Sequence, residues 1–280
     1  MSAEKEFSYP APGEWETARW WEYPFLAFIA GFGVFLLLQA VGSTEQSEWS
    51  KAIFFISLGL TSVLMCVHLL LLIRQSHNKP PVLSRVSVTD GRLSIKSARP
   101  IELTNIAMLL CGTVAASVFI VTVPSGEMDL PLTDGQRTFF PFFAGAALVY
   151  GVIDLLRSVT QAPIGRLIIT PTEISFKRTF AGRTTLNFSD ITDVTVPAGG
   201  RSKVSSVSVK CGPEGSGQGA GLDPRWPSVG AAATFWLVRF YHRHPELRDE
   251  LADHRVIDRI ESGGLLDPED PKARMAMRTM

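Results

Sequence analysis

Three histidines gather near the C-terminal end of the 280-residue chain, His242, His244 and His254, with Glu246 and Asp258 around them. Imidazoles and carboxylates are metal ligands, and a helix brings them onto one face at spacings of three or four residues. His242 and His244 stand two apart, about 200° around a helix, and Pro245 interrupts the same stretch. The spacing argues against a metal centre. The glycines from Gly215 to Gly221 invite comparison with a phosphate-binding loop, but the third glycine position of a dinucleotide fingerprint is Ala220, and Asp223, Pro224, Arg225, Trp226 and Pro227 intervene before any helix. A flexible surface loop is expected there, continuous from Gly212. Cys66 and Cys111 lie in apolar runs and Cys211 beside the glycine-rich stretch, with neither disulfide nor metal spacing. No Ser, Cys or Thr occupies a nucleophile motif, and neither an HExxH pattern nor a carboxylate pair is present. The expectation is a chain without catalytic, cofactor-binding or metal residues and with no small-molecule substrate identified.

Two further groups matter because of where they fall. His68 and Asp154 interrupt long apolar runs and Glu102 stands at the mouth of another, so they form a candidate polar intramembrane cluster. Charge inside a bilayer is costly and retained for a purpose, such as a proton or ion relay. All three belong to the same end of their runs, away from the midplane, where interfacial capping explains them without a relay. Arg92, Lys96 and Arg99 are candidate contacts for lipid headgroups, within a linker that also carries Arg74, Lys79 and Arg85.

These residues are positioned by apolar segments. The chain is 46% hydrophobic, and four stretches reach the roughly 20 residues that a hydrocarbon core requires: Pro24 to Gly42, Ala52 to Ile73, Leu103 to Val123 and Phe139 to Leu156. The first is not a cleavable signal, because Glu4, Glu6, Glu14, Glu16 and Glu22 precede it where a basic region should be. The linker between the second and third spans is basic. The first and third connections hold only Lys51 and Arg137 beside Glu45, Glu48, Glu127, Asp129 and Asp134. By the positive-inside rule both termini and the basic linker are cytoplasmic. Trp15, Trp20, Trp21 and Tyr23 crowd the entry to the first span, so residues 1–23 are expected as an interfacial N-terminus with a headgroup-level foot over 10–23. Small residues, Gly31 and Gly33, Ser57 and Thr61, Gly112 and Ala116, Ala147 and Gly151, are placed for close helix contact. Lysine and arginine total 27 and so do aspartate and glutamate, a balance that disfavours nucleic acid as a partner.

One repeat is visible. The segment Val86 to Lys96 aligns without gaps on Leu167 to Lys177, with four apolar matches and identical Thr, Ser and Lys. Each copy follows a pair of spans, and each alternates around a turn, at Asp90–Gly91 and Pro171–Thr172, as a β-hairpin does. Further strands are expected over Arg183 to Phe188, Asp190 to Val196 and Val204 to Lys210, then a helix from Ser228 to about His242. Pro245 to Ile260 reads as a second amphipathic helix and residues 263–280 as a flexible tail.

The run GRLIITPTEISFKRTFAGRTTLNFSDITDVTV, opening with the LIIT strand, passing through FSDITDV and closed by a single helix, resembles the bacterial pleckstrin-homology-like (PH-like) domains over about a third of the chain. The coupling of span pairs to such domains also resembles a group of bacterial membrane proteins whose activity the fold does not define. The resemblance implies a partly open β-barrel of two packed sheets plugged by a helix, and a role as an interaction module, in some cases for lipid headgroups. That fold usually has seven strands. Five follow the fourth span, and the hairpin at residues 85–97 offers two more by joining the later strands in one composite domain.

The expected architecture is therefore a polytopic α-helical protein of the bacterial inner membrane, with span pairs at 24–73 and 103–156, a basic linker at 74–102 and a cytoplasmic α+β PH-like module at 163–262. Its expected role is a non-enzymatic accessory or scaffolding subunit whose partners are membrane lipids and another membrane protein or complex. The alternatives are a transporter or channel component gated by the β-domain, or a sensor of anionic lipid.

Overall fold

A computed structural model describes residues 7–12, 15, 22–46, 48–76, 80–160, 165–177, 183–196, 207–211 and 219–278. The chain forms two compact units. One takes residues 20–71 and 100–162; the other gathers three separate segments, 1–19, 72–99 and 163–280.

The helical unit holds α1 (Glu22–Glu45), α2 (Trp49–Ser76), α3 (Arg99–Thr122) and α4 (Asp134–Thr160), with the last turn of α2 counted in the other unit. All four are long and apolar enough to cross a membrane. Their outer surfaces carry large bare side chains, with Phe28 70%, Phe142 73% and Phe143 71% exposed. An apolar surface that extensive is unfavourable in water and suited to hydrocarbon. Close contacts between α1 and α2 fall at glycine: a Cβ on Gly59 would lie 2.9 Å from Leu37 Cγ and 3.0 Å from the Gly33 carbonyl oxygen. Gly33 is among the small residues expected at a contact. Gly31 is not at one, since a Cβ there would meet nothing within 4 Å. On α4, a Cβ at Gly151 would come within 2.6 Å of the Thr113 hydroxyl on α3.

The second unit is α+β. Strands β1 (Val86–Thr89), β2 (Arg92–Ile95), β3 (Leu167–Ile169), β4 (Glu173–Lys177) and β5 (Arg183–Asn187) form one antiparallel sheet in that order. Its first turn has Asp90 at φ 53° and Gly91 at φ 70°, the left-handed pair of a type I′ hairpin. The two repeated hairpins are direct neighbours, because β2 pairs β3 with Leu93 opposite Ile169, Ser94 opposite Ile168 and Ile95 opposite Leu167. The hairpin between the helix pairs thus joins the later strands as expected. A 3-10 turn over Phe188–Asp190 then carries the chain into a separate three-stranded sheet of β6 (Ile191–Thr195), β7 (Val207–Cys211) and β8 (Gly219–Leu222). Both sheets are open. β8 occupies the end of the expected glycine-rich loop: Gly219, Ala220, Gly221 and Leu222 pair with Lys210, Val209, Ser208 and Val207. Residues 212–218 lie outside the described residues.

Helix α5 (Ala231–Arg243) is buried from Ala231 to Tyr241, and its Phe235, Trp236 and Leu237 share one core with Leu93, Ile95, Leu167, Ile169, Val194 and Val209 from both sheets. Two segments expected at the periphery belong to this core. Tyr9 and Trp15 are buried in it: the Tyr9 hydroxyl donates to the Ile260 carbonyl at 2.7 Å, Trp15 meets Phe235 edge-on at 5.9 Å, and Trp236 Nε1 donates to the Pro10 carbonyl at 2.8 Å. Residues 7–12 and 15 are therefore packed within the α+β unit, which corrects the expected interfacial foot at those positions, while residues 13–14 and 16–21, Trp20 and Trp21 among them, lie outside the described residues. The expected flexible tail is likewise structured. Leu265, Leu266, Ala273 and Ala276 are buried, and α7 (Pro271–Met277) starts at Asp270, whose carboxylate accepts from Lys272 N at 3.0 Å. The single amphipathic helix expected over Pro245 to Ile260 is divided into a 3-10 helix, Pro245–Ala252, and α6 (Arg255–Glu261). Asp253 divides it, with extended backbone and a carboxylate that accepts from Arg255 N at 2.8 Å in place of a helical bond.

Candidate functional site

In the helical unit His68 is buried on α2 with Nδ1 3.0 Å from the Thr104 hydroxyl of α3. Thr104 Oγ1 is also within reach of the Pro100 and Ile101 carbonyls, at 2.9 and 3.1 Å. With one proton to share among these carbonyls and the imidazole, Thr104 donates to or accepts from His68 according to the histidine tautomer. Glu102 is half-buried in the first turn of α3, where a carboxylate complements the helix dipole, and Asp154 is buried on α4. The geometry joins His68 to α3 through Thr104, which ties two helices together.

The three histidines near the C-terminal end are dispersed. His242 sits on α5, His244 ends it with Nδ1 3.0 Å from Glu246 and Nε2 3.1 Å from Asp267, and His254 precedes α6. Among the described residues no three His, Cys, Asp or Glu side chains are placed to hold a metal ion.

The five-stranded sheet has a more unusual feature. Leu93, Ile95, Leu167, Ile169, Ile174 and Phe176 face the core, so the alternate residues form the opposite face. Across that face the register sets Ser87 against Ser94, Ser94 against Ile168, Ile168 against Ser175 and Ser175 against Thr185. The neighbouring row on the same face is wholly basic. Lys177 is opposite Arg183. One step beyond Ile95–Leu167 stands Lys96 against Arg166, and one step beyond Leu167–Phe176 stands Arg166 against Lys177. At the edge, Arg85 is paired with Lys96, whose N–H donates to the Arg85 carbonyl at 3.1 Å. Arg85, Lys96, Arg166, Lys177 and Arg183 thus cross the sheet in one line, one from each strand or its immediate flank. Like charges directly opposite are destabilising.

Two of the guanidiniums are anchored to the hydroxyl row. Arg166 Nε donates to Ser94 Oγ at 3.1 Å and Arg183 Nε to Ser175 Oγ at 2.5 Å, while Ser175 and Thr185 share a bond of 3.1 Å. The other end of the face is different: Thr89, Arg92, Thr170, Glu173 and Asn187 form the third row, and Arg92 reaches Asp90 at 3.5 Å. The sheet therefore separates the sequence candidates. Lys96 belongs to the basic row, Arg92 is at the opposite end of its strand, and Arg99 opens α3.

The alignment of Arg85, Arg166, Lys177 and Arg183 in one row escapes a reading by sequence because it comes from strand pairing across the helix pairs. A signal was available. Lys96 and Lys177 are the identical lysines of the two repeats, and the arginine before each copy, Arg85 and Arg166, extends the match by one position.

A second polar system secures the module's C-terminal segment. Arg239 on α5 holds Asp270 and donates through Nη1 to the Val194 carbonyl at 2.7 Å. Burial pushes the Asp270 carboxyl up, but Arg239, the Lys272 N–H and Arg243 together outweigh it and leave it below the ordinary carboxylate range. Arg259 chelates Glu250 at 2.7 Å through both Nε and Nη2 and holds that carboxyl low as well. Burial raises the Tyr9 and Tyr241 hydroxyls well above the ordinary phenol range and lowers His242.

No family model, curated protein or solved structure matches the chain.

Proposed function

We propose that this protein is a multi-pass component of the bacterial cytoplasmic membrane that presents a non-enzymatic, PH-like interaction module on the cytoplasmic side and serves as an accessory or scaffolding subunit of a larger membrane complex. The observation that carries this reading is the segmental build of the α+β unit. Its five-stranded sheet takes one hairpin from between the helix pairs and the rest from after them, around a core completed by α5. Such a module is attached to both helix pairs and lacks a motif for chemistry, which suits the display of a surface. Antiparallel strands in two sheets followed by a buried helix support the PH-like assignment, and the basic character of residues 74–99 supports the orientation.

Affinity purification of the full chain from native membranes in mild detergent tests the role. A companion protein at stoichiometric yield is expected; recovery of the chain alone, at native expression, would remove the accessory reading. Reporter fusions at Ser47 and Glu127 test the orientation. Both should behave as external, and cytoplasmic behaviour at either position would overturn the four-span arrangement.

A further inference from the structure

We infer that the free edge of β5 is a self-association site, at which the strand pairs antiparallel, about a two-fold axis, with β5 of a second copy of this chain. The inference goes beyond the accessory role, since it makes the chain its own partner. It rests on the membrane-spanning reading of α1 to α4 in one respect: those helices hold the copies in one bilayer, which raises the effective concentration of a short strand contact.

Hydrogen bonding fixes what the edge offers. Phe188 N donates to the Thr172 carbonyl at 2.8 Å, and Thr170 N to the Glu173 carbonyl at 2.9 Å. Bonded and non-bonded pairs alternate along an antiparallel ladder, so Thr184 and Leu186 turn their backbone groups to β4, and Arg183, Thr185 and Asn187 turn theirs outward. Among the described residues none of these outward N–H and C=O groups has a partner. The side chains of the same three residues are exposed. Bulges and prolines blunt many natural edges, but β5 pairs with β4 in unbroken register and contains no proline. Two other edges are attended from within the chain. β1 packs against the 3-10 helix Pro245–Ala252, and β6 gives its Val194 carbonyl to Arg239 Nη1 at 2.7 Å.

The sequence of β5 selects the occupant. A pairing centred on Thr185 sets Thr185 against Thr185, Thr184 against Leu186 and Arg183 against Asn187. Because Arg183, Thr185 and Asn187 are the outward residues, their contacts are the hydrogen-bonded pairs of the new ladder. Threonine opposite threonine is a favourable cross-strand pair. Charge fixes the register. A slide that set Arg183 against Arg183 would oppose like charges, whereas the centred pairing sets it against Asn187, whose Nδ2 donates to Asp190 Oδ2 at 3.1 Å. Each guanidinium is thus aimed toward the exposed Asp190 carboxylate of the other copy, once on either side of the axis. An extended segment of another protein would use the same main-chain groups, but this two-fold match of Arg183 to Asn187 and Asp190 belongs to β5 itself.

The full chain, with Cys66, Cys111 and Cys211 replaced, would be treated in native membranes with a short thiol cross-linker and resolved under denaturing conditions. Thr185→Cys should join copy to copy, since the facing Cβ atoms are about 5.5 Å apart. Arg183→Cys alone should not, because the two thiols stand four residues apart along the ladder, roughly 14 Å at about 3.4 Å per residue. Arg183→Cys co-expressed with Asn187→Cys should. In the Thr185→Cys chain, Asn187→Arg opposes arginines on both sides of the axis and should lower the yield about fivefold. The exchange Arg183→Asn/Asn187→Arg sets each arginine against asparagine again and should recover it. Both positions are exposed, so folding is spared. Absence of the Thr185→Cys product would overturn the inference, as would equal yields from Arg183→Cys alone and the co-expressed pair, or a yield unmoved by Asn187→Arg. Capture of Thr185→Cys on a different protein would give the edge to that partner and overturn the second copy as its occupant. Affinity purification reads companions other than the chain, so failure of self-association and failure of the accessory role are told apart.

Discussion

Arg239 and Asp270 meet side by side in the interior of the α+β unit, with Nε on Oδ2 at 2.5 Å and Nη2 on Oδ1 at 3.0 Å, the arginine 7% and the aspartate 2% exposed. The pair fastens the segment after Gly263 to α5, and its carboxylate also caps α7. Removal of one partner leaves a buried charge unmatched, whereas replacement of both by apolar groups is far less costly. Asp270→Asn should therefore lower the stability of the unit by about 3–5 kcal/mol. Arg239→Met/Asp270→Leu should recover most of that loss. Denaturation of the full chain in detergent, followed by the fluorescence of the buried Trp226 and Trp236, measures both.

Stability should fall at both pH extremes, for different groups. His242 is lowered by burial, so its contribution is present above about pH 6.5 and is lost as pH falls through its folded value. Asp270 and Glu250 are also lowered and add a further loss below about pH 4. Tyr9 and Tyr241 are raised, so what they contribute is complete below about pH 10 and disappears as pH rises beyond it. Melting temperatures across this range should form a plateau, and His242→Gln should flatten its acid shoulder near neutrality.

In the helical unit, Gly59→Ala should cost about 1–3 kcal/mol, because the new methyl meets Leu37 and the Gly33 carbonyl at 2.9 and 3.0 Å. Gly31→Ala, with open space around it, should be neutral. Thermal unfolding of the two variants in the same detergent separates packing from a general intolerance of glycine changes.

The register of the composite sheet can be tested chemically. In a chain with Cys66, Cys111 and Cys211 replaced, Ser94→Cys/Ile168→Cys places two thiols directly opposite on β2 and β3, with Cβ atoms about 4.5–5.5 Å apart. A short thiol cross-linker should join them. Ser94→Cys/Leu167→Cys puts the thiols on opposite faces and should not react. Equal yields from the two pairs would refute the pairing.

The four spans and the first hairpin could be read directly from composition and turn chemistry, because a run of twenty apolar residues or an Asp90–Gly91 turn carries its meaning locally. The union of the two hairpins was also legible, since an eleven-residue match with alternating apolar positions implies the same sheet environment. What escaped depends on distant partners. Gly219 to Leu222 has the composition of a loop and becomes a strand because β7 offers it an edge. Residues 263–278 look polar and mobile until Asp270 finds Arg239, and Tyr9 has no local sign of its bond to Ile260. The candidate site shows the same division. Lys96 was visible as a basic residue near a span, while its alignment with Arg166, Lys177 and Arg183 exists only once the strands are paired.

The division of the α+β unit among three segments has a consequence for synthesis. As the chain leaves the ribosome, the hairpin of β1 and β2 emerges with the β2 edge that β3 later pairs still open, and it must wait while α3 and α4 are made and inserted, several seconds at roughly 5–20 residues per second. The core closes only after α5 and Asp270 have followed. Until then the half-built sheet exposes an edge of the kind that chaperones and proteases recognise. Correct insertion of the second helix pair is thus a precondition for hiding that edge, and a chain that stalls or misinserts midway remains marked for removal.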